Sequence, residues 1–361
     1  MSELSPSAHP FKTPIPHAGG KLRIVPAGGN WYQLGFSHNS SNHGMALYQL
    51  AISHEGVPLA FVPPTGMGGR HRPYPQPSFL AMVISDAQQM WGRVCLQCRS
   101  YFRTNHVAGM TVCPYCTFAE DAIYLLTDSQ RLYLRKFAET VQQAVKEQRE
   151  FEIDLDEATD APEWTYEELQ LQHRFLCKAC DILTDIRGEY GSCPRCGKRN
   201  SGGVFHPKLN QIELELQTAS DELRSNLLNR TVSVLEAMAN DLKRILVSIP
   251  CHPTRRNQVA LVNFQNIGSA VTELDTWYGF DLCSGFSPGD LEFVDLMFKR
   301  RHLFTHTGGQ VDEKYLKETG DRTFELHEVV VLSQPDMARF VPLVRRLGSN
   351  LISDVEKIEV R

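Results

Sequence analysis

A chain of 361 residues that is 42% hydrophobic and 22% charged holds enough apolar material for two or three packed domains. Its formal net charge of −5 excludes a global positive field, so attraction to nucleic acid has to come from local patches. Residues 1–21 are polar and lack an apolar signal core, and the apolar run at 79–84 is too short to span a bilayer, so the expectation is a soluble cytoplasmic protein with no membrane partner.

Residues 1–90 are punctuated by Pro and Gly, and 22–25, 45–53 and 58–62 read as short strands of a β-rich N-terminal domain. The glycines of 63–72 fit neither a Walker nor a Rossmann spacing, so that basic stretch reads as a surface loop.

Eight of the ten cysteines fall in two quartets: Cys95, Cys98, Cys113 and Cys116, then Cys177, Cys180, Cys193 and Cys196. Each quartet is a C-x2-C followed by C-P-x-C. Two such turns make the four-sulfur tetrahedral site that Zn2+ accepts, and with no secretion signal disulfides are disfavoured. The quartets resemble zinc ribbons, which implies two structural zinc ions per chain with every coordination position filled by protein. Cys251 and Cys283 stand alone and read as core thiols.

The first ribbon covers 91–120. Its Arg93, Arg99, Arg103 and His106 lie among Tyr101 and Phe102, a mixture that either stacks bases and holds phosphate or packs the small core with solvated arginines. A helix is predicted over 127–150, capped by Thr127 or Asp128. The acidic run that follows, to Glu168, reads as a solvated linker or as a strap over a basic surface. The second ribbon, 173–207, is the most basic local region, and Arg195, Lys198 and Arg199 are its candidates for RNA contact. Zinc ribbons also serve as spacers or as knobs for a protein partner.

From 208 the chain is expected to form an all-α bundle. Helices are predicted over 221–247, 258–277, 288–307 and from about 333 to the C-terminus, with a short one at 313–318 and an extended insertion at 324–332. The third helix is expected to start with Ser287 as N-cap and Pro288 in its first turn, and to stop at Gly308. Near its end lie Lys299, Arg300, Arg301, His302 and His306.

Arg301-His302-x-x-x-His306 followed by Gly308-Gly309-Gln310-Val311-Asp312 resembles the signature of the HEPN superfamily, in the defence and abortive-infection type. That resemblance implies a helical domain that forms a homodimer and cuts RNA without a metal ion. It makes His306 the general acid/base, Arg301 the clamp on the transition state and His302 the polar position of the motif. Histidine suits the proton roles because it titrates near neutrality, and arginine offers a permanently charged fork to phosphate oxygens. Lys299 and Arg300 are candidates to position the RNA backbone. An ideal helix places Arg301 about 140° around the axis from His306, a gap that a long side chain or a second copy in a two-fold dimer would close. Arg and His at a helix C-terminus also complement the macrodipole, so a non-catalytic RNA- or protein-binding module keeps the same bundle. The sequence thus predicts a multidomain α+β protein: a β-rich region, two ribbons around a helix, and a HEPN-like bundle.

Overall fold

The computed structural model describes residues 13–28, 32–37, 44–51, 58–62, 78–156, 164, 166–249 and 251–359. The loop expected at 63–72 lies outside them. The chain divides between Lys198 and Arg199 into two compact units. The β-rich region, the first ribbon, the intervening segment and both cysteine quartets therefore belong to one unit, and the helical unit begins at 199, inside the range expected for the second ribbon.

In the first unit β4 (Met45–Ala51) pairs antiparallel with β5 (Pro58–Val62) and β6 (Ser78–Ile84). A second sheet has β2 (Lys21–Pro26) between β3 (Tyr32–Ser37) and β11 (Phe151–Asp154). Alternate residues point inward, so Leu22 and Ile24 on β2 and Ala46, Tyr48 and Leu50 on β4 are buried together. Helix α1 (Asp128–Glu147) covers this core with Tyr133, Leu134, Phe137 and Val141. Burying Leu134, Phe137 and Val141 contributes roughly 1.5–3 kcal/mol each. Its N-terminus is fixed as expected: Thr127 accepts from Gln130 N, and the Gln130 side chain accepts from Thr127 N.

Among the described residues of the acidic segment, several acids are paired within sheets rather than solvated. Glu150 and Asp154 pair with Arg23 and Lys21 across the β11–β2 edge, the Lys21–Asp154 contact being 3.0 Å. Glu168, in β12 (Glu167–Leu169), is 1% exposed and accepts from Tyr101 Oη and Gln130 Nε2, each at 2.6 Å. Strand β12 pairs with β1 (Pro14–Pro16). Sequence charge alone does not reveal such pairing, because an acid looks solvated until its basic strand neighbour is known.

The two ribbons share one sheet. Strands β7 (Trp91–Val94) and β8 (Tyr101–Thr104) flank the first turn of one quartet, and β13 (His173–Leu176) and β14 (Leu183–Ile186) flank that of the other. The order is β13-β14-β8-β7, with the inner strands antiparallel. Arg103 faces Asp185 in that register, and each stands eight residues after the first cysteine of its quartet. The second turn of the first quartet lies between β9 (Met110–Val112) and β10 (Ala119–Asp121), and the second turns meet reciprocally: Val112 N donates to Pro194 O at 2.7 Å and Ser192 N to Pro114 O at 3.0 Å. The hairpins are thus related by a local two-fold, and the residues on its axis have opposite charge.

Arg103 is fully buried, donating to Asp185 at 2.6 Å and also to Asp86. Arg93 is fully buried as well, reaching Gln130, Tyr48 and the Val107 carbonyl. Both arginines were expected on the surface and are interior. Replacing Arg103 by Met leaves two buried carboxylates uncompensated and is expected to destabilise the first unit by about 3–5 kcal/mol in denaturant unfolding. Adding Asp86→Asn and Asp185→Asn should recover part of that loss. A single variant as stable as the wild type would contradict the buried triad.

The second unit is helical. Helix α2 (Ser201–Leu216) precedes the first expected helix, and α3 (Asp221–Ser248), capped by Ser220, runs through the middle. Leu227, Val232, Leu235, Met238, Leu242 and Leu246 on α3 are buried. It packs against α2, α4 (Pro253–Leu261), α6 (Asp290–Thr307) and α8 (Gln334–Glu359). Gly348 inside α8 has a packing reason: a Cβ there would come within 2.3 Å of the buried Phe205 ring on α2.

The helix expected over 258–277 is two helices, α4 and α5 (Ile267–Tyr278). Asn263 accepts from Gln265 N at 3.0 Å and Asn266 from Ser269 N at 3.3 Å, so asparagine oxygens replace helical carbonyls at the break. Helix α6 starts two residues later than the proline suggested. Gly289 is its N-cap, and Asp290 folds back to accept from Ser287 N at 2.7 Å. Gly308 (φ 67°) ends it as expected. Helix α7 (Glu313–Thr319) follows, and of the expected insertion the structure keeps the bridge Gln310–Val329. Among the described residues no helix is long and apolar enough to cross a membrane.

Candidate functional site

The four cysteine turns repeat one geometry. The residue four beyond the first cysteine is left-handed in each, namely Arg99 (φ 57°), Thr117 (φ 60°), Asp181 (φ 56°) and Gly197 (φ 74°), and its N–H donates to that cysteine's carbonyl. The cysteine's own N–H donates to the carbonyl of the next residue: Ser100, Phe118, Ile182 or Lys198. These bonds turn both sulfurs of each pair to one side.

The turns converge in pairs. Sγ atoms are 3.6 Å apart for Cys95–Cys116, 3.7 Å for Cys98–Cys113, 3.6 Å for Cys177–Cys196 and 3.5 Å for Cys180–Cys193. Four sulfurs about 2.3 Å from one tetrahedral ion stand about 3.8 Å from each other, whereas a disulfide needs about 2.05 Å. All four sulfurs of each group lie within 4.8 Å. Burial pushes the Cys113 and Cys193 thiols up, so four thiolates at such distances need a cation between them. The residues fit two closed metal sites.

The motif residues on α6 divide by face. His302 and His306, one turn apart, are exposed with ring centroids 4.2 Å apart. The His302 pKa lies below its ordinary value, through partial desolvation first and then His306, Lys314 and Arg301. Arg301 turns instead toward α3, where a guanidinium nitrogen sits 3.8 Å from Glu236. Arg301 Nε and Glu236 Oε1 are buried there without a hydrogen-bond partner. Burial raises the Glu236 pKa against the opposing pull of Arg301 and Gln265. Arg301 and the histidines are therefore neighbours in sequence whose side chains do not meet within this chain.

Three of the expected RNA contacts have partners within the chain. Arg300 is 6% exposed and binds Asp321 at 3.0 Å and Tyr315 Oη at 3.3 Å, with Asp336 at 3.5 Å. Burial opposes ionisation of Asp321, but bonds from Tyr315, Thr323 and Arg300 hold its carboxyl well below the usual range. Arg199 is paired with Asp241 and nearly buried. Lys299 binds Asp295 at 2.9 Å and the Glu318 carbonyl at 3.3 Å. Arg195 and Lys198 are exposed.

Beside His302 opens a cavity of about 410 Å³ lined by Asn263, Gln265 and Asn266 from the α4–α5 break, Asp295, Phe298, Lys299 and Leu303 from α6, and Asp312, Lys314, Tyr315 and Glu318. Sequence reasoning missed both this cavity and Glu236. The signal for the cavity was Asn263-x-Gln265-Asn266, a polar run that interrupts the apolar periodicity. Glu236 gave none, since an acid on a long amphipathic helix looks solvated. Comparison with protein families, with curated proteins and with solved structures finds no match to this chain.

Proposed function

We propose that the chain is a metal-independent endoribonuclease of HEPN type, with its chemistry in the second unit and zinc in the two cysteine quartets for structure. The observation that carries this reading is the pair of imidazoles at the exposed end of α6, 4.2 Å apart, with Arg301 adjacent in sequence. The substrate's 2′-hydroxyl attacks the neighbouring phosphorus, a new P–O2′ bond forms and the P–O5′ bond breaks. His306 carries the protons in this scheme, and His302, with its lowered pKa, is the neutral partner able to accept one near neutral pH. Arg301 stabilises the phosphorane after leaving Glu236, or acts from the second copy of a two-fold homodimer. Arg195 and Lys198 on the second ribbon, and Lys299 on α6, are the residues that contact the RNA backbone. The HEPN resemblance is the support for a role in defence or stress.

The expected products carry a 2′,3′-cyclic phosphate and a 5′-hydroxyl, form in EDTA while structural zinc is retained, and do not form from RNA with a 2′-deoxy residue at the cut. Mass spectrometry of the fragments reads this directly, and 5′-phosphate ends would rule the mechanism out. A second reading, a non-catalytic module that binds RNA or protein, is favoured by the Arg301–Glu236 contact and the buried Arg300. It predicts RNA bound and recovered intact.

A further inference from the structure

The cavity beside His302 shares that imidazole with the proton transfers described above, and the rest of its lining takes no part in them. Its volume, about 410 Å³, falls within the range of small-molecule sites. On its lining, Asn263 and Asn266 each use Oδ1 to accept from the backbone of their own turn. Each therefore presents its Nδ2 as a donor, and among the described residues neither donor meets an acceptor. The walls formed by Phe298 and Leu303 are apolar.

The charges around the lining are mostly balanced internally. Asp295 is paired with Lys299 at 2.9 Å, Glu318 faces Lys314 at 3.9 Å, and Asp312 caps α7 by accepting from Tyr315 N at 2.7 Å. Three carboxylates in the lining make it a poor hole for a bare phosphate. A neutral planar group with acceptors on its edge suits the two amides better. Lys314, whose side chain is 70% exposed and only loosely paired with Glu318 at 3.9 Å, is the cation that turns to an attached phosphate, and His302 belongs to both the cavity and the motif.

We propose that this cavity takes the base and ribose of the ribonucleotide next to the cut, with the Asn263 and Asn266 amides reading two acceptors on the base edge and Lys314 meeting the adjoining phosphate. The inference rests on the ribonuclease reading and adds to it the source of sequence preference. Asn263 and Asn266 are exposed in the free chain, and a bound base shuts water away from their amides, so a base edge that lacks an acceptor leaves a donor unpaired.

Two measurements on the full chain test it. The first is the affinity of each of the four ribonucleoside 3′-monophosphates by titration calorimetry; the second is the cut-site pattern on a mixed-sequence RNA. One nucleotide should bind about tenfold or more tightly than the others, and its preference should reappear in the cut sites. Asn263→Asp and Asn266→Asp keep the turn acceptor and delete the donor, so each should weaken that nucleotide about tenfold and shift the cut-site pattern. Lys314→Ala should weaken all four alike and leave the order unchanged. Far-UV circular dichroism confirms that the variants are folded. If no nucleotide binds, or both Asp variants bind and cut as the wild type does, the cavity proposal is overturned while the nuclease reading stands. If nucleotides bind in an Asn263-dependent way but RNA is never cut, the cavity is upheld as a nucleotide site and the nuclease reading falls.

Discussion

Replacing Cys177 and Cys180 by serine should lower the zinc content from two ions per chain to one and unfold the hairpin of β13 and β14. Structural zinc contributes about 10–16 kcal/mol to the folding of a small site, comparable to the ~5–15 kcal/mol that holds a whole domain together. The effect should spread, because β14 pairs with β8 of the other ribbon and the second turns bond reciprocally. Cys95→Ser with Cys98→Ser should remove the other ion and produce the same loss from the opposite side. Elemental analysis gives the ion count and identity, and thermal unfolding gives the stability. A wild-type value near zero, or two ions retained in either variant, would contradict the two sites.

Much of the first unit was legible where local chemistry decides structure. The C-x2-C spacing fixes a turn whose hydrogen bonds are the same four times, so the ligand sets could be read without tertiary information. The capping box of α1 is equally local. What was not legible is how the ribbons join. Arg103 and Asp185 are far apart in sequence, and nothing near either residue shows that they face each other. An arginine whose partner is unknown reads as solvated, which is why Arg93 and Arg103 were assigned to the surface.

The second unit shows the same limit. The apolar stripe of α3 and the glycine stop of α6 follow from periodicity and backbone conformation, and both stand. Asn263 and Asn266 break the expected second helix because their side chains compete for backbone donors, a choice that helical periodicity does not weigh. Lys299, Arg300 and Arg301 formed one basic run in the sequence. The helix turns them to different neighbours: Asp295, the Tyr315–Asp321 pair and Glu236. Only His302 and His306 remain together on an exposed face. A motif therefore gives residue types and spacing, while the packing of the helix decides which of them face solvent.

The most direct test of the account is the single-turnover rate of RNA cleavage in EDTA by the zinc-loaded full chain, compared with His306→Ala and Arg301→Ala. Loss of a positioned acid/base group costs about two to four orders of magnitude, and His306→Ala should fall by that amount. Arg301→Ala should fall by about two to three orders through lost stabilisation of the phosphorane. RNA affinity should change little in either, because exposed residues such as Arg195 and Lys198 are expected to hold the backbone. His306 is exposed at the end of α6, so its truncation opens no core cavity and a lost rate is not explained by unfolding. The account predicts cleavage by the wild type and a drop of at least about a hundredfold with His306→Ala. Cleavage by His306→Ala at the wild-type rate, or a wild type that binds RNA and leaves it intact, would contradict it.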